Sequence, residues 1–295
     1  LPPNYTTLSE TIRAYWPVLA CAFAVSVVAT PLCRRYALHK NIVDRPDEFL
    51  KPHKRPIPYL GGAAIFLGWA AGILVALVLF AATPHPAAGA RGPLLNTTLT
   101  LGILTAGLAI TLLGLFDDLH LASPVVKLAG GVVVAGILVL FGLGDDTVLL
   151  LLRSIGTHPK DLPRVLVLTV SIPFTVFIVL GACNATNLID GLDGLCSGVL
   201  GIMAAGFLVL AADLHLWNDW RPLDVERVVI SSAMMGAALG FLPYNRSPAK
   251  IFMGDAGSML LGLNAAILLL LFAKSSETIR WMLGALMMFG LPLAD

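Results

Sequence analysis

The chain has 295 residues, of which 57% are hydrophobic and only 13% charged, with a formal net charge of +1. Soluble domains carry about 25% charged residues, so this balance excludes an ordinary water-soluble domain, and the near-zero net charge gives no footprint for a nucleic acid partner. The mean hydropathy of +0.86 points the same way.

Nine apolar segments follow one another at roughly 16–33, 59–82, 97–116, 125–143, 165–183, 197–212, 227–243, 257–273 and 279–294. A bilayer-spanning helix needs roughly 20 apolar residues, and helices are the default because each span must satisfy its own backbone in lipid. The predicted fold is therefore an all-α, polytopic transmembrane bundle forming a single domain over residues 1–295. The sixth and seventh segments are short for a span and are expected to be tilted or broken. The stretch 144–164 reads as a short hairpin. The odd count, and the end at Asp295 straight after an apolar run, predict a further loop and a tenth helix beyond this sequence. Cys21, Cys33, Cys183 and Cys196 lie in or beside apolar runs without CxxC spacing, and read as small membrane-core residues. His39, His85, His120, His158 and His215 are scattered loop residues with no metal-ligand spacing; of these only His120, just after a pair of acids, draws functional interest.

Orientation comes from the loop 34–58, which holds Arg34, Arg35, Lys40, Arg45, Lys51, Lys54 and Arg55. The densest basic loop belongs in the cytoplasm. Counting spans from there puts 34–58, 117–124, 184–196 and 244–256 on that one side.

Those four loops carry the chemistry. Asp117 and Asp118 are adjacent acids at the end of a span, where repulsion calls for a metal or a shared proton; the plainer alternative is two acids snorkelling at a helix end. In the run from Asn184 to Leu195, two amides and two acids (Asn184, Asn187, Asp190, Asp193) recur every three residues, so a helix end would place them on roughly one face. The glycines after each acid let a ligand approach the backbone. Asp255 sits between Gly254 and Gly257 before a new span, where a helix N-terminus favours phosphate, or where Asp255 itself caps the helix. His53, Lys54 and Arg55 lead through Pro56 and Pro58 to Gly61-Gly62 and offer positive charge to a pyrophosphate; ordinary topology charge is the alternative. Carboxylates with few cysteines or histidines favour a hard cation, Mg2+ or else Mn2+, bridging phosphate oxygens.

At these residues the sequence resembles the polyprenyl-phosphate N-acetylhexosamine-1-phosphate transferase family (glycosyltransferase family 4). The motifs are Val43–Gly62, Phe116–Leu119, Asn184–Leu195 and Asn245–Ser258, in family order. The resemblance implies ten transmembrane helices, a Mg2+ requirement, and transfer of a sugar-1-phosphate from a UDP-amino sugar to undecaprenyl phosphate with release of UMP. The loop His53–Gly62 is similar to the branch that transfers GlcNAc-1-phosphate; the phospho-MurNAc-pentapeptide branch is the alternative. By resemblance, Asp117 deprotonates or orients the lipid phosphate, and Asp118 helps position the metal or a lysine. Asp255 ligates Mg2+ with support from Asn187. Asp190 and Asp193 line the nucleotide pocket, Gly191, Leu192 and Phe252 lie near the uracil, and Lys54 and His53 near phosphate. The implied setting is the bacterial inner membrane with a cytoplasmic-face active site, and a homodimer is an open expectation. The family's histidine-rich last loop has no counterpart in this sequence.

Two other classes predict different patterns. A transporter predicts acids near the bilayer midplane and internal repeats, whereas these acids fall at span ends and no repeat is visible. A CDP-alcohol phosphotransferase would carry a DGxxAR pattern that is absent.

Overall fold

The computed structural model describes residues 8–45, 56–80, 95–119, 122–145, 162–217, 223–275 and 283–287, together with Leu149, Leu152 and Gly290. Among the described residues there are eight long helices: α1 (Leu8–His39), α2 (Gly61–Phe80), α3 (Thr97–Asp118), α4 (Pro124–Leu140), α5 (Arg164–Ile189), α6 (Leu195–Trp217), α7 (Asp224–Asn245) and α8 (Gly254–Ser275). Seven of them are long and apolar enough to cross a membrane, and α4 is a shorter apolar helix. The chain is a multi-pass membrane protein. The only strands among the described residues are β1 (Val43–Asp44) and β2 (Ile57–Pro58), an antiparallel pair that places Val43 opposite Pro58 and Asp44 opposite Ile57.

The sixth and seventh segments are not broken spans. They form α6 and α7, of 23 and 22 residues. The seventh apolar window looked short because α7 begins with charges that are neutralised inside the protein. Arg227 is fully buried, pairs with Asp224 at 2.5 Å, and donates to Leu271 O at 2.9 Å. Its guanidinium also lies 5.3 Å from the Phe272 ring centroid. At the expected hairpin, Leu149 and Leu152 are helical; the rest of 146–161 lies outside the described residues. Of the ninth segment, 283–287 and Gly290 are described, and they are helical.

The central helix is α8, whose span is buried along its whole length. It packs against α2, α3, α5 and α7; α1 covers α2 and α7, α6 covers α7, and α4 bridges α3 and α5. Lipid tails supply no hydrophobic drive between helices, so close backbone approach and interhelical hydrogen bonds hold them. A Cβ added at Gly68 would lie 2.7 Å from Ala22 O, and one at Gly240 2.6 Å from Phe23 O. Ser26 Oγ, in the same seam, donates to Ala237 O at 2.9 Å. Cys183 and Cys196 are buried free thiols that donate weakly to Met259 O and Thr186 O.

Candidate active site

The described parts of four inter-helix segments, 40–45 with 56–60, 119 with 122–123, 190–194 and 246–253, meet at one end of the bundle. They and the adjoining helix ends line a cavity of about 1010 Å3 that draws Asp44, Ile57 and Tyr59 from the first, Asp117, Asp118 and Ala122 from the second, Asp190 to Asp193 from the third, and Asn245, Ser247 to Ala249, Phe252, Gly254 and Asp255 from the fourth. Counting spans had predicted this convergence. His53 and Lys54 lie outside the described residues, as does His120.

The acidic centre is built on a lysine. Lys127 Nζ donates to Asp117 Oδ2 at 2.6 Å and also to Asp255 Oδ2. Asp117 closes α3 and Asp255 opens α8, so one ammonium joins two carboxylates 138 positions apart in sequence. Two like charges about 4 Å apart repel by about 4 kcal/mol at an effective dielectric near 20. Lys127 offsets that repulsion by donating to both groups. Sequence reading missed Lys127, because a single lysine in the first turn of an apolar helix resembles a snorkelling residue. The signal was its place four residues after Ser123, which caps α4 by accepting from Val126 N.

Asp118 does a different job. Its Oδ1 accepts from Asp255 N at 2.7 Å and its Oδ2 from Ala256 N at 3.2 Å. A helix leaves its first amides without partners, and here a carboxylate from another helix takes them. Asp255 is therefore not its own helix cap; it lies in the first turn and lines the cavity, its carboxylate accepting from Lys127 and Asn187 instead. The expected phosphate site at this N-terminus is likewise filled by Asp118. Gly254 makes the approach workable: its φ is +68°, and a Cβ there would lie 2.5 Å from Asp118 Oδ2.

Asn187 Nδ2 donates to Asp255 Oδ1 at 2.5 Å and to Ser258 Oγ at 3.2 Å. The expected one-faced run of four polar groups is corrected. Helix α5 ends at Ile189; Asn184 is exposed and turns back to Leu180 O, while Asp190 and Asp193 sit on the turn beyond the helix. That turn is stitched to the fourth loop. Asp193 Oδ2 accepts from Ala249 N at 2.9 Å, and buried Asn245 Oδ1 accepts from Gly194 N and Ser197 Oγ. Burial pushes the Asp190 carboxyl up to about 8, and the negative charges of Asp118, Asp255 and Asp193 add to the rise. Gly191, Leu192 and Phe252 all line the cavity.

The first loop is stitched to the same place. Phe252 N donates to Pro58 O, Gly61 N to Phe252 O and Gly62 N to Met253 O, at 2.8 to 3.0 Å. A Cβ on Gly61 would lie 2.5 Å from Phe252 O. The Gly-Gly pair thus lets α2 start flush against the loop that leads into Asp255. Arg34 Nε donates to Lys250 O at 3.0 Å from the end of α1.

Among the described residues no three Asp, Glu, His or Cys side chains gather closely enough to hold a metal alone. Mg2+ does not require that; it takes one or two carboxylates and completes its shell with waters and substrate phosphates. Asp117 and Asp255 supply two partly exposed carboxylates organised around a positive charge, an all-oxygen set that fits such an ion.

An acidic, lysine-bridged cavity at the end of a membrane helix bundle suits phosphate chemistry. The family model of glycosyl transferase family 4 matches residues 100–273. A decaprenyl-phosphate N-acetylglucosaminephosphotransferase of Mycobacterium leprae is 37% identical over 214 residues, covering 72% of this chain and 50% of the relative. A probable undecaprenyl-phosphate N-acetylglucosaminyl 1-phosphate transferase of Bacillus subtilis is 34% identical over 283 residues, 94% of this chain and 69% of the relative. A phospho-N-acetylmuramoyl-pentapeptide-transferase of Corynebacterium jeikeium is 35% identical, covering 82% and 72%. The chain belongs to glycosyl transferase family 4. It spans 50% and 56% of the length of two mycobacterial relatives it matches.

Proposed function

We propose that this protein transfers GlcNAc-1-phosphate from UDP-GlcNAc to a polyprenyl phosphate, working with Mg2+ at the cytoplasmic face of a bacterial inner membrane. The carrying observation is that Lys127 bridges Asp117 and Asp255, two carboxylates that line the shared cavity. The GlcNAc branch rests on the His53–Gly62 loop and on the names of the mycobacterial and Bacillus relatives.

In the reaction a phosphate oxygen of the lipid attacks the β-phosphorus of the UDP-sugar. The bond from that phosphorus to the bridging oxygen breaks, UMP leaves, and a lipid-linked pyrophosphoryl sugar forms. Little covalent work falls to the protein, so positioning and charge dominate. Asp117 faces the lipid phosphate and accepts a proton from it or orients it. Lys127 bridges the two carboxylates and lends positive charge to the transferring phosphoryl group. Asp118 fixes the start of α8, and with it Asp255. Gly191, Leu192 and Phe252 offer backbone approach and apolar surface to the uracil, with Asp190 and Asp193 on the same turn. Lys54, three positions before Ile57 in the sequence, is assigned to phosphate by the family resemblance alone. When bound at Asp117 and Asp255, with Asn187 beside them, Mg2+ would neutralise charge on the phosphate oxygens.

The test is UMP release by the purified protein with UDP-GlcNAc and polyprenyl phosphate, run beside UDP-MurNAc-pentapeptide. Activity with UDP-GlcNAc that chelator removes and Mg2+ restores supports the reading. Turnover of the pentapeptide donor alone moves the protein to the other branch, and no turnover of either overturns the reading.

A further inference from the structure

We propose that Ser258 is a positioning residue that fixes which way the Asn187 amide faces, and so holds the Asn187 carbonyl oxygen toward the cation end of the site. The inference rests on the divalent-cation reading above.

An asparagine amide can sit either way round unless its neighbours decide. Here both neighbours are acceptors. Asp255 is a carboxylate and accepts only, as Asn187 Nδ2 reaches its Oδ1 at 2.5 Å. Ser258 could act as donor or acceptor, but its hydroxyl proton is directed to the carbonyl of Gly254, 3.2 Å away, or to that of Asp255. What Ser258 Oγ presents to Asn187 is therefore a lone pair, and Nδ2 meets it at 3.2 Å. Both amide hydrogens are thus spent on acceptors, and Oδ1 must point away from them. Oδ1 takes no hydrogen bond among the described residues, so this orientation leaves it available to a cation held beside Asp255. Ser258 cannot drift. It is fully buried, and its own carbonyl accepts from Thr186 Oγ1 at 2.9 Å, tying α8 to the helix that carries Asn187. Without the Ser258 lone pair only Asp255 would orient the amide, and the flipped form would aim N–H groups at a cation.

The experiment is Mn2+ titration of the purified, membrane-extracted protein, read by electron paramagnetic resonance of free and bound ion. It needs no turnover. Ser258→Ala is expected to weaken Mn2+ binding about five- to tenfold, the worth of one net hydrogen bond. Ser258→Thr keeps the hydroxyl and is expected to bind within about twofold of the parent. In an Asn187→Ala background, Ser258→Ala is expected to add nothing, because its effect passes through the amide. Should Ser258→Ala not yield folded protein, Ser258→Cys, a poor acceptor of similar volume, takes its place. Unchanged binding in Ser258→Ala, or the same further loss without Asn187, overturns the proposal alone. No Mn2+ binding by the parent overturns the cation reading and this inference with it.

Discussion

The Asp118 carboxylate caps the helix that begins with Asp255: its Oδ1 accepts the Asp255 backbone N–H at 2.7 Å. Two acids that had seemed to share one task are thus arranged in series, one holding the backbone from which the other projects. Removing a helix cap costs about 0.5–2 kcal/mol. Asp118→Ala should lose both stability and activity. Asp118→Asn retains an acceptor oxygen and should lose less stability. Asp117→Asn and Asp255→Asn should abolish UMP release while the thermal midpoint in detergent stays near the parent's. Thermal unfolding and turnover, measured on the same preparations, separate the two classes.

Lys127→Met should reduce turnover by about 100-fold or more, the scale for losing one preorganised charge donor. It should also tighten the apparent Mg2+ requirement, because the ammonium no longer competes for Asp117 and Asp255. Activity titrated against Mg2+ reads both effects; unchanged turnover would remove Lys127 from the site.

Gly114 lets α3 touch the start of α8. A Cβ there would lie 2.5 Å from Ala256 Cα and from Ala256 N, both backbone atoms that cannot rotate aside. Gly114→Ala should therefore displace the Asp255 turn, and a misplacement near 1 Å costs about 100-fold in rate. The measurement is UMP release at matched protein levels, with membrane insertion expected to be normal.

The raised Asp190 carboxyl gives a pH signature. Its value is about 8 in the folded protein and about 3.9 when unfolded. Between those values the folded state binds more protons, so this group's contribution to stability is complete below about pH 4 and shrinks until pH passes 8. Asp190→Asn removes the dependence. With chelator present, the thermal midpoint of Asp190→Asn should gain on the parent as pH rises from 5 to 8 and then run parallel; parallel curves throughout would show an ordinary carboxylate.

Much of this was legible in the sequence because spans can be counted. Four polar loops at alternate turns of the chain had to emerge on one side, and they meet in one cavity. The individual roles were harder to read. The partner of Asp118 lies 137 positions away, so nothing local marks it as a cap. Lys127 stands alone on its helix. Asn184 shares the spacing of Asn187 yet turns outward, because α5 continues as a helix to Ile189 and sends the acids onto a turn. Arg227 and Asp224 shortened an apolar window because hydropathy cannot see that two charges cancel in the interior.

The most direct test of phosphosugar transfer follows two atoms at once. UDP-GlcNAc carrying one label in the sugar and another in the β-phosphate is incubated with the protein, Mg2+ and polyprenyl phosphate. The account predicts that both labels enter the lipid in equal amounts while UMP appears unlabelled. Sugar label in the lipid with the β-phosphate left on UDP would contradict it.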